Sequence, residues 1–564
     1  MAKQLKDVKV RGRFLPKDPL VARRDGLWAV DCKLKAGGVD SGPTGPRAVV
    51  VDYNADLDVR FAPVRLQKNL EFEGLARLSG EKLLNDVRFH QVNVWTIVER
   101  TLAMIEDESV LARTIPWASQ LGRLILIPHA GYMDNAFYSR DTGALHFFYF
   151  EGHDGRPVYT CLHHDIVAHE LGHAVLDGLK PYYNEVCSAQ TAGFHEYFGD
   201  ALAMMASLNT REVALQALRN SKSKLAPKNI VSAIASEFGA AIRGMEEEDY
   251  LRGAWNNRTM SDLAGTYEEH DWSEVLTGIY YDLLEYLHPK IRRDLEKAHV
   301  GAMSAGQSRY YSVRALYRAA SMTAAVMFRA LDYCPPADLR YDEYARALLK
   351  ADATAYPIDA MGIRAKLRTI FKDRKIKVPE EDAKRSVQIQ LELRGVDVQV
   401  IASTHADAYR FLDARRALFC IPYDANFQVI NVYRTNKVSK DGYRPPREHI
   451  IEFLWEEDVL LEGKRFRGLS GSSMPLYCGG TLVFDTNGNF LHEVAVPATD
   501  QRRKELKNYI AYLVREGQLG VLDGVRGIGA PRGSESRIHA TIEGGRVRLR
   551  RNAAMRHRCA HGDL

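Results

Sequence analysis

Two histidines one helical turn apart, with a glutamate beside the first, are the residues of this chain best suited to chemistry: His169-Glu170-Leu171-Gly172-His173. The run over residues 165–178 contains no proline and reads as one helix. Side chains at i and i+4 lie one above the other on a helix, so both imidazoles can reach a single Zn²⁺. Glu170 projects beside them, where a carboxylate can take a proton from metal-held water. A catalytic zinc needs a third protein ligand and one open position. Downstream, residues 193–205 are again free of proline, with Phe194, Phe198, Leu202 and Met205 at helical spacing. Glu196 and Asp200 then share the opposite face. Glu196 is the expected third ligand, and Asp200 the expected acceptor for the free ring N–H of a ligating histidine. Gly178 and Pro181 are expected to end the first helix and let the second return beside it. The plain alternative is a solvated histidine face on one helix and an ordinary acidic face on the other.

At this point the chain resembles the thermolysin-like gluzincin metallopeptidases, and further blocks follow in the family's order. Asn135-Ala136-Phe137-Tyr138 is similar to the N-A-F-[WY] edge strand, Arg258-Thr259-Met260-Ser261-Asp262 to the R-[ST]-M-S-D segment, and His270-Asp271-Trp272-Ser273 to the H-x-x-[SG] helix start. The resemblance implies that the Asn135 side chain and the Ala136 backbone hold an extended substrate. It also implies that Arg258 binds a substrate carbonyl beyond the scissile bond and that His270 stabilises the oxyanion. A peptide added to a sheet edge gains main-chain hydrogen bonds whatever its side chains. The implied fold is α+β, with a strand-rich N-terminal lobe, a helical C-terminal lobe and the cleft between them. The implied activity is zinc-dependent endopeptidase action on a peptide or protein substrate, Glu170 assisting the attack of zinc-bound water.

One catalytic zinc on His169, His173 and Glu196 is implied; the family's calcium loops have no evident counterpart. A tyrosine that assists the oxyanion belongs between His173 and Glu196, where Tyr182 and Tyr183 stand and Tyr183 is preferred. The chain departs from the pattern at three points. His195 precedes the third ligand where thermolysin itself has asparagine, and the spacings from His173 to Glu196 and on to Arg258 are long. The acidic partner of the oxyanion histidine is missing from its usual offset, with Glu268 and Glu269 as substitutes. Two other readings stay open: a zinc-binding pseudopeptidase or scaffold acting through an accessory domain, and a zinc hydrolase of a non-peptide amide.

The elements that must position these residues occupy part of a long chain. At 564 residues, two to four domains are expected. Hydrophobic residues at 46% and charged residues at 26% describe an ordinary globular composition. The first residues lack the apolar stretch of a secretory signal, and no apolar run is long enough to cross a bilayer, so no membrane partner is expected. Seven cysteines, odd in number and without paired spacing, fit reduced thiols and a cytoplasmic location. Cys161 and Cys187 flank the metal helix and read as buried apolar residues rather than spare ligands. His129 and His146 read as structural.

Strand and turn signals dominate residues 1–66, an N-terminal extension. Helical periodicity dominates from Arg211 to Phe371, within a peptidase-like domain over 67–375. The resemblance itself covers roughly residues 80–375. A charged linker over 376–395 leads to an accessory α/β or β-rich domain over 396–530. In the linker, Val387, Ile389, Leu391 and Leu393 alternate as in a strand. Residues 531–564 carry eight arginines against three acids, an excess equal to the chain's whole net charge of +5. They read as a disordered basic tail, the only part suited to brush nucleic acid or an acidic partner. The sequence leaves the oligomeric state open.

Overall fold

The computed structural model describes residues 9–551 apart from 36, 220–224, 226–228, 235–238, 240, 242–251, 379–382, 439–443 and 522–537. The tail beyond 551 lies outside the described residues. The fold is α+β.

The first part of the chain builds a hairpin, β1 (Lys9–Phe14) with β2 (Val30–Lys35), and a four-stranded mixed sheet. The sheet runs β3 (Ala48–Val50), β4 (Leu124–Ile127), β6 (Ala144–Phe147), β5 (Ala136–Ser139), with β5 at an edge and antiparallel to β6. Helix α1 (Val87–Ile105) starts where the Asp86 carboxylate caps the Arg88 N–H. β3 pairs with β4 residue for residue, so residues 48–50, within the expected N-terminal extension, belong to this sheet.

The helices follow: α2 (His164–Leu179), α3 (Ala189–Leu208), α4 (Glu269–Lys297), α5 (Ala305–Arg329), α6 (Tyr341–Ala355) and α7 (Ile363–Asp373). Gly178 lies inside α2, and the chain turns through a 3₁₀ segment at Pro181–Asn184. Ser188 caps α3 by accepting the Thr191 N–H. Every residue of α3 except Gln190 is buried, so the face that carries Glu196 and Asp200 is enclosed rather than solvated. A helix buried all round must have partners for its polar groups, and here they are charged.

A second apolar core gathers mainly residues from Ile389 onward, joined by Val186 and Ala189, while Ile450 and Val483 pack in the first. The alternating residues of the linker form a helix, α8 (Ala383–Glu392), rather than a strand. Ile389 and Leu393, four apart, are buried, whereas Val387 and Leu391 are exposed. The accessory part is a seven-stranded sheet in the order β7 (Gln428–Thr435), β8 (Glu448–Leu460), β9 (Ser473–Asp485), β13 (Arg546–Arg551), β12 (Ile538–Glu543), β11 (Leu519–Val521), with β10 (Phe490–Val496) also on β9. α9 (Asp500–Arg515) packs in the same core. β8 and β9 pair over their full length from Glu448↔Asp485 to Leu460↔Ser473. The expected disordered tail is therefore corrected over residues 538–551, which are the antiparallel pair β12–β13.

Buried charges join the two parts. Lys180, just past α2, pairs with Glu452 on β8 and donates to the Cys334 carbonyl at 3.0 Å. Asp332 receives Arg113 and Lys437, each at 2.6 Å. Arg502 of α9 meets Asp338 at 2.6 Å. No helix among the described residues is long and apolar enough to cross a membrane, and the six described cysteines form no disulfide.

One close helix contact involves the H-E-x-x-H run itself. A Cβ built on Gly172 of α2 would stand 2.7 Å from the Gly199 Cα of α3, and one on Gly199 would stand 2.7 Å from His169 Nδ1. Glycine at both positions lets the two backbones touch. Replacing Gly172 by Ala gains up to about 1 kcal/mol of helix propensity. It also drives a methyl group into backbone that cannot swing aside, an overpacking cost of about 1–3 kcal/mol. We expect net destabilisation of Gly172→Ala, read by urea denaturation; a variant as stable as the parent would contradict the contact.

Candidate metal centre

α2 and α3 cross so that three donor groups meet. His169 Nε2 lies 3.3 Å from Glu196 Oε2, and His173 Nε2 lies 3.6 Å from Glu196 Oε1. All three residues are at most 2% exposed. His169, Glu170 and His173 also offer ligand atoms within 4.8 Å of one another.

The outer nitrogens of both rings are held. His169 Nδ1 is 2.9 Å from Asp200 Oδ1, as expected from their positions on the two helices. An N–H donated to that carboxylate places the ring's lone pair on Nε2, the nitrogen that faces Glu196. His173 Nδ1 is 2.8 Å from His195 Nδ1. With His173 as the donor of that bond, its Nε2 is the lone-pair nitrogen too. The residue flagged in the sequence only as a departure, His195, thus orients the second imidazole. Both helices are anchored at this end by Asp165, which pairs with Lys17 and accepts the Ser207 hydroxyl at 2.8 Å.

Glu170 faces the edge strand. Its Oε2 accepts the Tyr138 N–H of β5 at 3.0 Å, so the carboxylate sits between the strand and the paired imidazoles. The strand is clamped to α2 by a buried carboxylate that sequence reasoning missed. Asp177 accepts the Tyr138 hydroxyl at 2.7 Å and pairs with Arg140. Its signal was present: Asp177 stands one turn past His173, next to the apolar run Ala174-Val175-Leu176.

His270, in the first turn of α4, brings Nε2 to 3.5 Å from Glu196 Oε2, and its side chain is 25% exposed. Glu268 supplies its acidic partner at 3.0 Å from Nδ1. Glu269, the other substitute, instead pairs with Arg551 of β13 at 3.0 Å.

Other expected residues take different places. Tyr183 is fully buried, and its hydroxyl donates to the Pro335 carbonyl at 2.7 Å, which commits it to the core rather than to an oxyanion. The Tyr182 hydroxyl accepts from Gln428, at the junction with the accessory sheet. Asn135 is fully buried, with its side-chain oxygen on the Ala136 N–H at 2.9 Å, bracing the start of β5. Arg258 is exposed and pairs with Glu274 at 2.8 Å, one turn beyond His270 on α4. His146 stacks on Phe137, with ring centroids 4.7 Å apart, and burial lowers its pKa to about 4. Beside the edge strand, a cavity of about 380 Å³ runs between Tyr138–Asp141, Glu185 and the arginines of β13.

The Lys17–Asp165 pair makes a pH-dependent prediction. Burial opposes ionisation of Asp165, but Lys17 and His164 outweigh it and hold the carboxyl well below its ordinary value of 3.8. A depressed carboxylate contributes stability above its unfolded pKa and loses it as the pH falls. Lys17→Met strands the buried anion and is expected to cost about 3–5 kcal/mol at neutral pH. As the pH falls through the ordinary value of 3.8, the parent loses the stability of its ionised Asp165 while Lys17→Met protonates its stranded carboxyl, and the gap narrows. Urea denaturation at neutral and acid pH measures it, and a gap that stays constant would contradict the pairing.

No family model matches this chain, and a search of the curated proteins returns no match, so the reading of the site rests on its own residues.

Proposed function

We propose that this chain is a zinc-dependent endopeptidase of the gluzincin type, its two lobes meeting at the cleft between β5 and α4. The observation that carries this reading is the convergence of two imidazole nitrogens on one carboxylate, 3.3 and 3.6 Å away, with Glu170 and His270 beside them. The donor set fits a divalent cation. Two histidines have their outer nitrogens fixed by Asp200 and His195, the arrangement that orients ligating imidazoles. The third donor is an anion with both oxygens turned inward, and three protein ligands leave the fourth position of a catalytic zinc open. His169, His173 and Glu196 would hold the ion. Bound there, zinc supplies Lewis acidity and lowers the pKa of coordinated water toward neutrality.

The remaining chemistry belongs to the chain. An extended peptide adds to the free edge of β5, where main-chain hydrogen bonds align it whatever its sequence. Glu170, steadied by the Tyr138 N–H, takes the proton of the attacking water and returns it to the departing amine. His270, braced by Glu268, presents Nε2 toward the Glu196 side of the site. There it can donate to the oxygen on which negative charge develops. Arg258, tied to α4 through Glu274, stands ready for a substrate carbonyl farther along.

Glu170→Gln keeps every ligand and removes the base. It is expected to retain its metal and to lose about 10²–10⁴-fold in turnover on a peptide library. Chelation by EDTA should abolish cleavage by the parent chain, and added zinc should restore it. His270→Ala should lower kcat by about 10²–10³-fold with little change in KM, because the lost contact acts on the transition state. Full activity of Glu170→Gln, or cleavage indifferent to EDTA, would sink the assignment.

A further inference from the structure

A second cluster of metal-binding side chains lies in the N-terminal lobe, away from Glu196 and its histidines. It comprises His90 on α1, His129 just past β4, and Cys161 in the 3₁₀ turn Thr160–Leu162 that leads into α2. One donor atom from each lies within 4.8 Å of the others, and none of the three is more than 3% exposed.

The hydrogen bonds around the cluster constrain its protons. His90 Nε2 lies 2.6 Å from the Leu84 carbonyl oxygen, an acceptor with no proton to give, so that nitrogen carries the ring N–H. His129 Nδ1 lies 2.9 and 3.0 Å from the two oxygens of Asp52, so it too is the donor of its hydrogen bond. Asp52 is itself fixed by the Gln91 side-chain amide at 2.9 Å. Both outer nitrogens are thus protonated. The two inner ones, His90 Nδ1 and His129 Nε2, face each other at 2.8 Å. In neutral rings these are two lone pairs, which repel unless a cation stands between or beside them. An outer N–H on a carboxylate and an outer N–H on a backbone carbonyl are the two usual supports of a metal-ligating histidine.

We propose that His90, His129 and Cys161 form a second, buried metal site for a borderline-soft divalent ion of the zinc class. Two imidazoles and a thiolate are its donors. Seating zinc opens the pair from 2.8 Å to about 3.3 Å, the spacing of two nitrogens at a tetrahedral ion. The three donors leave one tetrahedral position for a water molecule, and because the site is enclosed its role is structural rather than catalytic. It staples α1, the loop after β4 and the entry to α2, where the Asn93 side chain already donates to the Cys161 carbonyl at 2.8 Å. This goes beyond the proposed catalytic centre and does not depend on it.

The test replaces the bound metal of the full-length chain with cobalt(II). A thiolate ligand gives a near-ultraviolet charge-transfer band that the two histidines and glutamate of the other site cannot produce. The band is expected in the parent chain, in proportion to one thiolate per chain. It should be lost in Cys161→Ser and kept in His169→Ala, whose catalytic site is broken. Zinc analysis of His169→Ala should find one equivalent per folded chain, a measurement that stands even if Cys161→Ser fails to fold. A band that survives Cys161→Ser, no band in metal-loaded parent chain, or no zinc in folded His169→Ala would overturn the proposal, leaving a proton shared between the two rings.

Discussion

The contact between Gly172 and Gly199 sets the distance on which the site depends. Ligands on two helices can share one ion only if the axes approach closely enough for short side chains to meet. With a Cβ on either residue, backbone or the His169 ring would have to move. A shift of this size is small for a packed core but large for a cluster whose members stand 3.3 and 3.6 Å apart. The tight crossing has a second effect. It brings the polar residues of α3 against those of α2: Asp200 meets His169, His195 meets His173, and Glu196 faces the imidazoles of both His169 and His173. Close packing and ligand orientation here are one feature.

From that crossing outward, each further group is tied to one of the same two helices or to α4. β5 is pinned to α2 by Asp177 and Glu170, His270 reaches Glu196 from the start of α4, and Arg258 is held to α4 by Glu274. Charges carry most of these links, and apart from the exposed Arg258 they are buried or half-buried. Such pairs add little net stability over apolar packing, but breaking one leaves an uncompensated charge. They fix geometry rather than supply the bulk of the folding free energy, which the two apolar cores provide.

What could be read from the sequence was local. His169, Glu170 and His173, and likewise Glu196 and Asp200, are related by helical periodicity, which the chain states directly. Glu268 was legible only as one of two neighbours, since a choice between adjacent residues depends on where α4 begins. Tyr183 failed because two adjacent tyrosines differ in direction by a rotation that no periodicity fixes, and the Pro335 carbonyl claims its hydroxyl. The alternation over residues 387–393 suggested a strand, yet Ile389 and Leu393 are also a helical i, i+4 pair, and packing settled the ambiguity. β12 and β13 were hidden by their arginines, although the signal was there: two alternating runs flank Gly544-Gly545. Those glycines have φ of 58° and 80°, the left-handed pair that a two-residue hairpin requires. The cluster of His90, His129 and Cys161 was beyond sequence reading, for its members come from three separate elements.

The ion pair between Glu269 and Arg551 joins positions 282 residues apart. A ribosome therefore finishes α4, with His270 in its first turn, long before it makes the arginine that neutralises the neighbouring carboxylate. β13 also inserts beside β9, far upstream of it. During synthesis the emerging chain must hold an unfinished sheet edge and an unpaired acid next to His270. The start of α4 gains its last ion pair only after translation has passed Arg551.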